Sequence, residues 1–336
     1  MNKKKVNIVI PSLTLSSELI NCLSKFNNQK YKNFFVTIVL DYLNKKKKIP
    51  KLNYKLNILK VGKKPMSYKR NYGVKKFKSD FIAFIDSDAY AAASWLSNGS
   101  KILNKKKNFI IGGPSIPFPK QSYEEMMCYY AKRSYFVTGY LNFRKYKSKS
   151  RYCDWVESCN MMMHRELFLK YGGMNENIYV GEDKECIERF RKKDSSINVF
   201  FTPKLFIYHK ERGLIKFLLQ RMVFGSDLYN ITNFNNKLSS FQPLLPLIIT
   251  LIFISILFFV NDYYLKFNLI IYFIATIQVL ILFNLFKYIK SLKEVIFSLI
   301  IVNLANISYV IGNIFQLIGI KNIFRSKIYL KSRNNR

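Results

Sequence analysis

The sequence predicts an α/β fold, a mostly parallel sheet with helices on both faces, followed by an α-helical membrane region. Three observations predict it. Residues 6–85 alternate short apolar runs with helix-spaced segments in a β-α-β-β-α-β order. The run Phe81-Ile82-Ala83-Phe84-Ile85 is apolar at every position, as a strand buried on both sides must be. Three uncharged apolar stretches, 243–260, 267–286 and 295–320, reach or exceed the length that crosses a bilayer core of roughly 30 Å.

The elements follow in order. Val6 to Ile10 is a strand ended by Pro11-Ser12, and residues 15–26 carry Leu19, Ile20 and Leu23 at helical spacing. Phe34 to Leu40 is a second strand closed by Asp41, and Leu56 to Val61 a third, broken at Gly62 to Pro65. Residues 66–77 are helical and lead into the central strand 81–85. Trp95 to Leu103 reads as a helix and Phe109 to Ile111 as a strand running into Gly-Gly-Pro. Residues 121–150, aromatic and basic, read as a helix plus a flexible loop. Trp155 to Met163 reads as a strand, and Arg165 to Tyr171 as a short helix stopped by Gly172-Gly173. Tyr179-Val180-Gly181-Glu182-Asp183 opens a helix with acids in its first turn, where the helix dipole favours them. Two short strands around Pro203 end at His209.

These boundaries give a domain over 1–213, an interfacial helix and linker over 214–242, membrane segments over 243–320, and a basic tail over 321–336. Residues 214–225 alternate apolar residues with Lys216, Gln220 and Arg221, which suits the membrane interface. MNKKKVNIVIP lacks the apolar core of a signal peptide, so the first domain is expected in the cytoplasm and the protein in the cell membrane, multi-pass. Lys287, Lys290 and Lys293 then fit the inside after two crossings. The third stretch carries Asn303, Asn306, Asn313 and Gln316 on one face, with Gly312 expected to break it. It is expected to be interfacial, re-entrant or packed under the first domain, with a third crossing as the alternative.

Lys and Arg number 55 against 20 Asp and Glu, a formal charge of +35. Such a surface meets anionic lipid or a nucleotide diphosphate. No basic run is interleaved with aromatics in the manner of an RNA platform, so nucleic acid is not expected as a partner. Five cysteines without paired spacing and two histidines argue against a zinc site or a disulfide framework.

The chemistry gathers where strands end and helices begin. Asp86 and Asp88 follow the central strand, where ligands of open α/β sheets bind. They point the same way if the strand continues and splay if it turns. They form an oxygen-rich anionic spot suited to Mg2+ or Mn2+. Asp88 and His209 can hold the metal. Asp41 can accept from a pyrimidine N–H, and Arg70 can pair with a phosphate or with Asp86. Asp183 at a helix start can act as general base, and Glu182 can orient the acceptor or raise its neighbour's basicity.

Read together, these residues resemble the family 2 glycosyltransferases. The motifs are Val9-Ile10-Pro11, Asp41, Lys69-Arg70-Asn71-Tyr72-Gly73, Phe84-Ile85-Asp86-Ser87-Asp88 and Gly112-Gly113-Pro114. Ser158-Cys159-Asn160-Met161, Gly172-Gly173, Gly181-Glu182-Asp183 with Arg189, and Tyr208-His209-Lys210-Glu211-Arg212 complete the set over residues 6–225. The resemblance implies a GT-A, Rossmann-like nucleotide-diphospho-sugar transferase domain. It implies an inverting, metal-dependent transfer of one sugar from a nucleotide-diphosphate donor to a membrane-borne acceptor, lipid-linked or a cell-surface glycan precursor. By it, Asp183 is the base, Asp86 lies near the ribose, Asp88 and His209 hold the cation, and Pro11, Asp41, Arg70 and Asn71 line the nucleotide site. Trp155, Asn160 and Arg212 are expected on the acceptor side.

Tyr42-Leu43-Asn44 departs from the second acid usual after Asp41, so the base is left open. Gln220-Arg221-Met222 lacks the spacing and Trp of the processive Gln-x-x-Arg-Trp motif, which argues for single additions. A polyprenyl-phosphate monosaccharide synthase and a non-catalytic nucleotide- or lipid-binding module are the alternatives.

Overall fold

The computed structural model describes residues 3–43, 47–178, 180–226 and 245–319. Tyr179, most of the expected linker and the basic tail lie outside the described residues. In chain order the elements begin with β1 (Val6–Ser12), α1 (Ser17–Phe26), β2 (Phe34–Leu40), β3 (Lys55–Lys60), α2 (Met66–Lys76), β4 (Phe81–Ile85), β5 (Ala89–Ala91) and α3 (Trp95–Leu103). They continue with β6 (Phe109–Gly112), β7 (Ser115–Pro117), α4 (Tyr123–Arg133), α5 (Tyr135–Thr138), a 3-10 helix (Gly139–Lys145), β8 (Arg151–Tyr152), β9 (Asn160–His164) and α6 (Arg165–Lys170). Then come α7 (Glu182–Lys193), β10 (Asn198–Phe201), a 3-10 turn (Pro203–Leu205), β11 (Ile207–His209), α8 (Leu214–Ser226), α9 (Leu245–Phe259), α10 (Tyr263–Phe286) and α11 (Leu292–Leu317).

The chain divides into two compact units, Met1–Pro119 with Phe143–Lys210 and Lys120–Asn142 with Glu211–Arg336. Residues 120–142 thus group with the C-terminal helices, whereas the sequence reading keeps them in the first domain. The expected flexible loop within 121–150 is instead helical from Tyr123 to Lys145, apart from Ser134. A capping box explains the start of α4, with Ser122 and Glu125 each bonding the other's backbone N–H.

The first unit is built on an eight-stranded sheet in the order β3-β2-β1-β4-β9-β6-β10-β8, with a second sheet β5-β11-β7. β1, β2, β3 and β4 are mutually parallel, but β9 runs antiparallel to both β4 and β6. The sheet is therefore more mixed than the sequence reading expects. β9 also starts later than expected. Asn160 N–H bonds the Glu157 carbonyl at 2.9 Å, and this turn keeps residues 155–159 out of the ladder.

Alternation divides the core. In β4, Phe81, Ala83 and Ile85 face a cluster with α1 and α3, whereas Ile82 and Phe84 face one with α6 and α7. Both faces are covered, which is why the run lacks polar residues. Helix α2 sits close on the sheet because Gly73 has no side chain. A Cβ there would meet Val9 Cγ1 at 2.6 Å. Pro11 lies in β1 beyond its pairing with β4, where no ladder donor is needed on that side.

In the second unit, α8 packs on α11 through Gly225 and Gly312. A Cβ on either would strike the other helix's backbone, at the carbonyls of Tyr309 and Met222 respectively. Helix α11 runs unbroken through Gly312, so this glycine permits close approach and does not interrupt the helix. Asn303 and Gln278 exchange hydrogen bonds at 2.8 and 3.1 Å between α11 and α10. Helices α10 and α11, of 24 and 26 residues, are long and apolar enough to cross a membrane. The described α9 has 15 residues.

Candidate active site

Strand β4 stops at Ile85. The Ala89 N–H reaches back to the Asp86 carbonyl at 3.2 Å, so Asp86-Ser87-Asp88 forms a turn into β5. The second sheet brings in His209, whose register partner on β5 is Ala89. Lys210 N–H bonds the Asp88 carbonyl at 3.0 Å and fixes this juxtaposition. His209 Nε2 lies 3.7 Å from Asp86 Oδ2 and 3.5 Å from Asp88 Oδ1. One ligand atom from each of the three residues falls within 4.8 Å of the others.

The proton position on His209 follows from its other contact. Nδ1 is 2.8 Å from the Lys210 carbonyl, which can only accept, so Nδ1 carries the hydrogen. In the neutral ring Nε2 then points a lone pair at two carboxylates, which is repulsive. A bound divalent cation would turn that repulsion into ligation. Two carboxylate oxygens and one imidazole nitrogen, with the imidazole oriented by a backbone carbonyl, fit Mg2+ or Mn2+.

Helix α2 supplies two buried cations. Arg70 donates to Asp86 Oδ1 through one terminal nitrogen and to Glu182 Oε1 through the other, both at 2.8 Å. Burial alone weakens a guanidinium's hold on its proton, but Asp86 and Glu182 outweigh it and push Arg70 up. Lys69, one residue earlier, is wholly buried. It meets Asp41 Oδ1 at 2.5 Å and the Ser12 carbonyl at 2.7 Å.

Helix α7 opens on Gly181 in the left-handed region, φ +77°, which turns the chain so that Glu182 and Asp183 occupy the first turn. Asp183 accepts from Ser158 N–H at 2.9 Å and Lys184 N–H at 2.8 Å. Burial raises the carboxyls of both Glu182 and Asp183. For Glu182 the Asp183 charge adds to the rise and Arg70 opposes it; for Asp183 the Glu157 charge adds and two backbone N–H groups oppose. A carboxyl with a raised proton affinity is a better proton acceptor at neutral pH.

Side-chain contacts join Asp88, His209, Asp86, Arg70 and Glu182, and Ser158 links Glu182, through its Oγ, to Asp183, through its backbone N–H. Other expected site residues have different work. Asn71, expected on the nucleotide, is buried. It donates to the Met174 carbonyl and Glu176 at 2.8 Å each and accepts from Met174 N–H at 2.9 Å. It pins the loop after α6, and Gly173, φ +67°, is a glycine because a Cβ would sit 2.5 Å from Asn71 Oδ1. Asn160, expected on the acceptor side, is also buried. It accepts from Trp95 Nε1 at 2.9 Å and donates to the Leu205 carbonyl at 2.7 Å, tying α3 to β9 and the turn before β11. Trp155 is half-buried under the Arg144 guanidinium, 4.1 Å from its ring centre. Arg212 belongs to the second unit, where it donates to Gln220 at 3.0 Å.

Sequence reasoning names Lys69 and Ser158 only as motif members without a role of their own, and it passes over Glu157. Glu157 accepts from Lys145 at 2.8 and 3.0 Å, with Arg144 at 3.8 Å. The adjacent Lys69-Arg70 was the available signal for the first, since two cations on a helix end beside Asp41 and Asp86 need anionic partners.

Residues 7–172 match the family model "Glycosyl transferase family 2". The chain carries a family 2 glycosyltransferase domain. The matched span contains Asp41, Arg70, Asp86 and Asp88, while Asp183 and His209 lie beyond it. No curated protein matches the chain in sequence. Among solved structures, mannosyltransferase PcManGT from Pyrobaculum calidifontis, in complex with GDP-Man and Mn2+, aligns at TM-score 0.59 and 12% identity, over 94% of this chain and 88% of that one. S. aureus TarS 1-349 in complex with UDP-GlcNAc aligns at 0.45 and 14% identity, over 67% of each chain. GalNAc-T7 with UDP, GalNAc and Mn2+ aligns at 0.48 and 14% identity over 63% of this chain, which spans 44% of that one. The family 2 domain has the GT-A fold.

Proposed function

We propose that the chain is an inverting, metal-dependent glycosyltransferase that moves one sugar from a nucleotide-diphosphate donor to a membrane-borne acceptor, lipid-linked or a cell-surface glycan precursor. The observation that carries this reading is the Arg70 bridge, 2.8 Å to Asp86 and 2.8 Å to Glu182. One guanidinium joins the cation-binding turn to the helix start that carries Asp183, which supports a reading in which leaving group and base act on one donor. The relative PcManGT, with GDP-Man and Mn2+, lends the donor class.

In this reading Pro11 and Asp41 line the base end, with Asp41 fixed by Lys69. Asp86 lies near the ribose and is oriented by Arg70. Asp88 and His209, with Asp86 beside them, would hold Mg2+ or Mn2+, which would supply positive charge against the departing diphosphate. Asp183, held by two backbone N–H groups, takes the proton of the acceptor hydroxyl. The hydroxyl oxygen bonds C1 from the face opposite the nucleotide as the C1–O bond to the diphosphate breaks, which inverts the anomeric carbon. Glu182, occupied by Arg70, orients the acceptor or repels a second negative charge from Asp183. Helices α10 and α11 anchor the enzyme at the membrane, with the family 2 domain on the cytoplasmic side.

The test is a donor screen. The full chain in detergent is given UDP- and GDP-sugars with Mn2+ and extracted lipid-linked glycans, and products are read by mass spectrometry. Addition of a single sugar, lost in EDTA, is the expected result. No addition with any donor, or full addition in EDTA, contradicts the proposal.

A further inference from the structure

We infer that Glu157 is a positioning residue for Asp183: pinned between two cations, it fixes the peptide that holds the base and keeps a negative charge beside it. The inference rests on Asp183 being the base of the proposed reaction.

The geometry is local and complete. Lys145 Nζ meets both Glu157 oxygens, at 2.8 and 3.0 Å, and Arg144 approaches at 3.8 Å while its guanidinium lies over Trp155 at 4.1 Å. The Glu157 carbonyl accepts from Asn160 N–H at 2.9 Å. Side chain and backbone of Glu157 are therefore both held. The next peptide N–H, that of Ser158, donates to Asp183 Oδ2 at 2.9 Å, and Ser158 Oγ lies 3.5 Å from Glu182 Oε1. A shift of Glu157 moves the group that aims the base.

The electrostatics follow the same path. Although burial works against it, Lys145 and then Arg144 hold the Glu157 carboxyl down at about 2, so it stays charged at any working pH. Burial raises Asp183 first, and the Glu157 charge adds to the rise. The other charged groups bearing on Asp183 are Glu182 on its own helix, Arg70 on α2 and Arg144 on the 3-10 helix. The lysine at 184 contributes through its backbone N–H. A carboxylate serving only to neutralise Lys145 would leave Asp183 indifferent to it.

The test reads Asp183 directly and needs no substrate, so it can fail while the glycosyltransferase reading stands, and the reverse. Full-length protein is labelled with carboxyl-13C aspartate, and infrared titration of Asp183→Asn is subtracted to isolate one carboxyl. In Glu157→Gln its midpoint is expected to fall by about one pH unit, a tenfold change in the protonation equilibrium. In Glu157→Asp, which keeps the charge, it is expected to fall by less than half as much. Should the Gln variant misfold because Lys145 loses its Glu157 partner, Glu157→Gln/Lys145→Met removes both members of the pair and is expected to lower the midpoint too. An unmoved midpoint in the folded neutral variant, or an equal fall in Glu157→Asp, overturns the inference.

Discussion

Helix α2 serves two carboxylate sites with two adjacent cations, and the sites are built differently. At one end Lys69 faces Asp41, one ammonium for one carboxylate, with nearly no exposure on either side. At the other end Arg70 is divided between Asp86 and Glu182, with Asp88 and Asp183 close behind. The first site is balanced. The second sets Asp86, Asp88, Glu182 and Asp183 around one guanidinium and a histidine, with Glu157 and its partners Lys145 and Arg144 beside Asp183. Such an excess of negative charge is tolerated only by binding a cation or keeping a proton, and the second site can do both: a metal at Asp86, Asp88 and His209, a raised proton affinity at Glu182 and Asp183. The difference separates structural ion pairing from chemistry.

Substituting each cation sharpens that contrast. Arg70→Lys is expected to have the larger effect on turnover, since one ammonium cannot reproduce a fork that bonds two carboxylates. Misplacement of both Asp86 and Glu182 is expected to lower kcat/KM by about 10²-fold, measured with the donor found in the screen. Lys69→Met is expected to act mainly on stability, because it strands the Asp41 carboxylate in a buried site, a loss of about 3–5 kcal/mol in denaturant unfolding. At saturating donor its folded fraction should keep kcat within about threefold of wild type, well below the penalty for misplacing reacting groups, with any loss of donor binding falling on KM. If Lys69→Met cost turnover and Arg70→Lys only stability, the two ends would have been assigned the wrong way round.

Much of the second site was legible in the sequence, and the reasons are local. An apolar run must end where its strand leaves the core, so Ile85-Asp86 marks the sheet edge whatever the rest of the fold does. Gly181 before two acids marks a helix start by backbone freedom alone. What was not legible depends on distant partners. Asn160 looks like a site residue in Ser-Cys-Asn, yet its acceptor is taken by the indole of Trp95, which no spacing announces. Lys69 is one of many lysines in a lysine-rich chain, and its pairing with Asp41 shows only in the folded structure. The antiparallel β9 escaped because a βαβ pattern is read from sequence order, and strand direction across β4 and β6 is a tertiary outcome. Gly312 looked like a helix break, but the sequence alone does not show the α8 backbone it accommodates.

The central claim is that Asp183 takes the acceptor's proton in the cleft that holds the donor. Asp183→Asn keeps the size of the side chain and an oxygen for one of its two backbone N–H contacts, and removes its basicity. Turnover is expected to fall by about 10²–10⁴-fold while binding of the nucleotide sugar, measured by titration calorimetry with Mn2+, stays within a factor of a few. Because burial and Glu157 raise the Asp183 carboxyl and only the ionised form accepts a proton, wild-type turnover should rise with pH through a midpoint above the ordinary aspartate value of about 3.9. Near-wild-type turnover in Asp183→Asn, with the acid limb unmoved, would contradict the account.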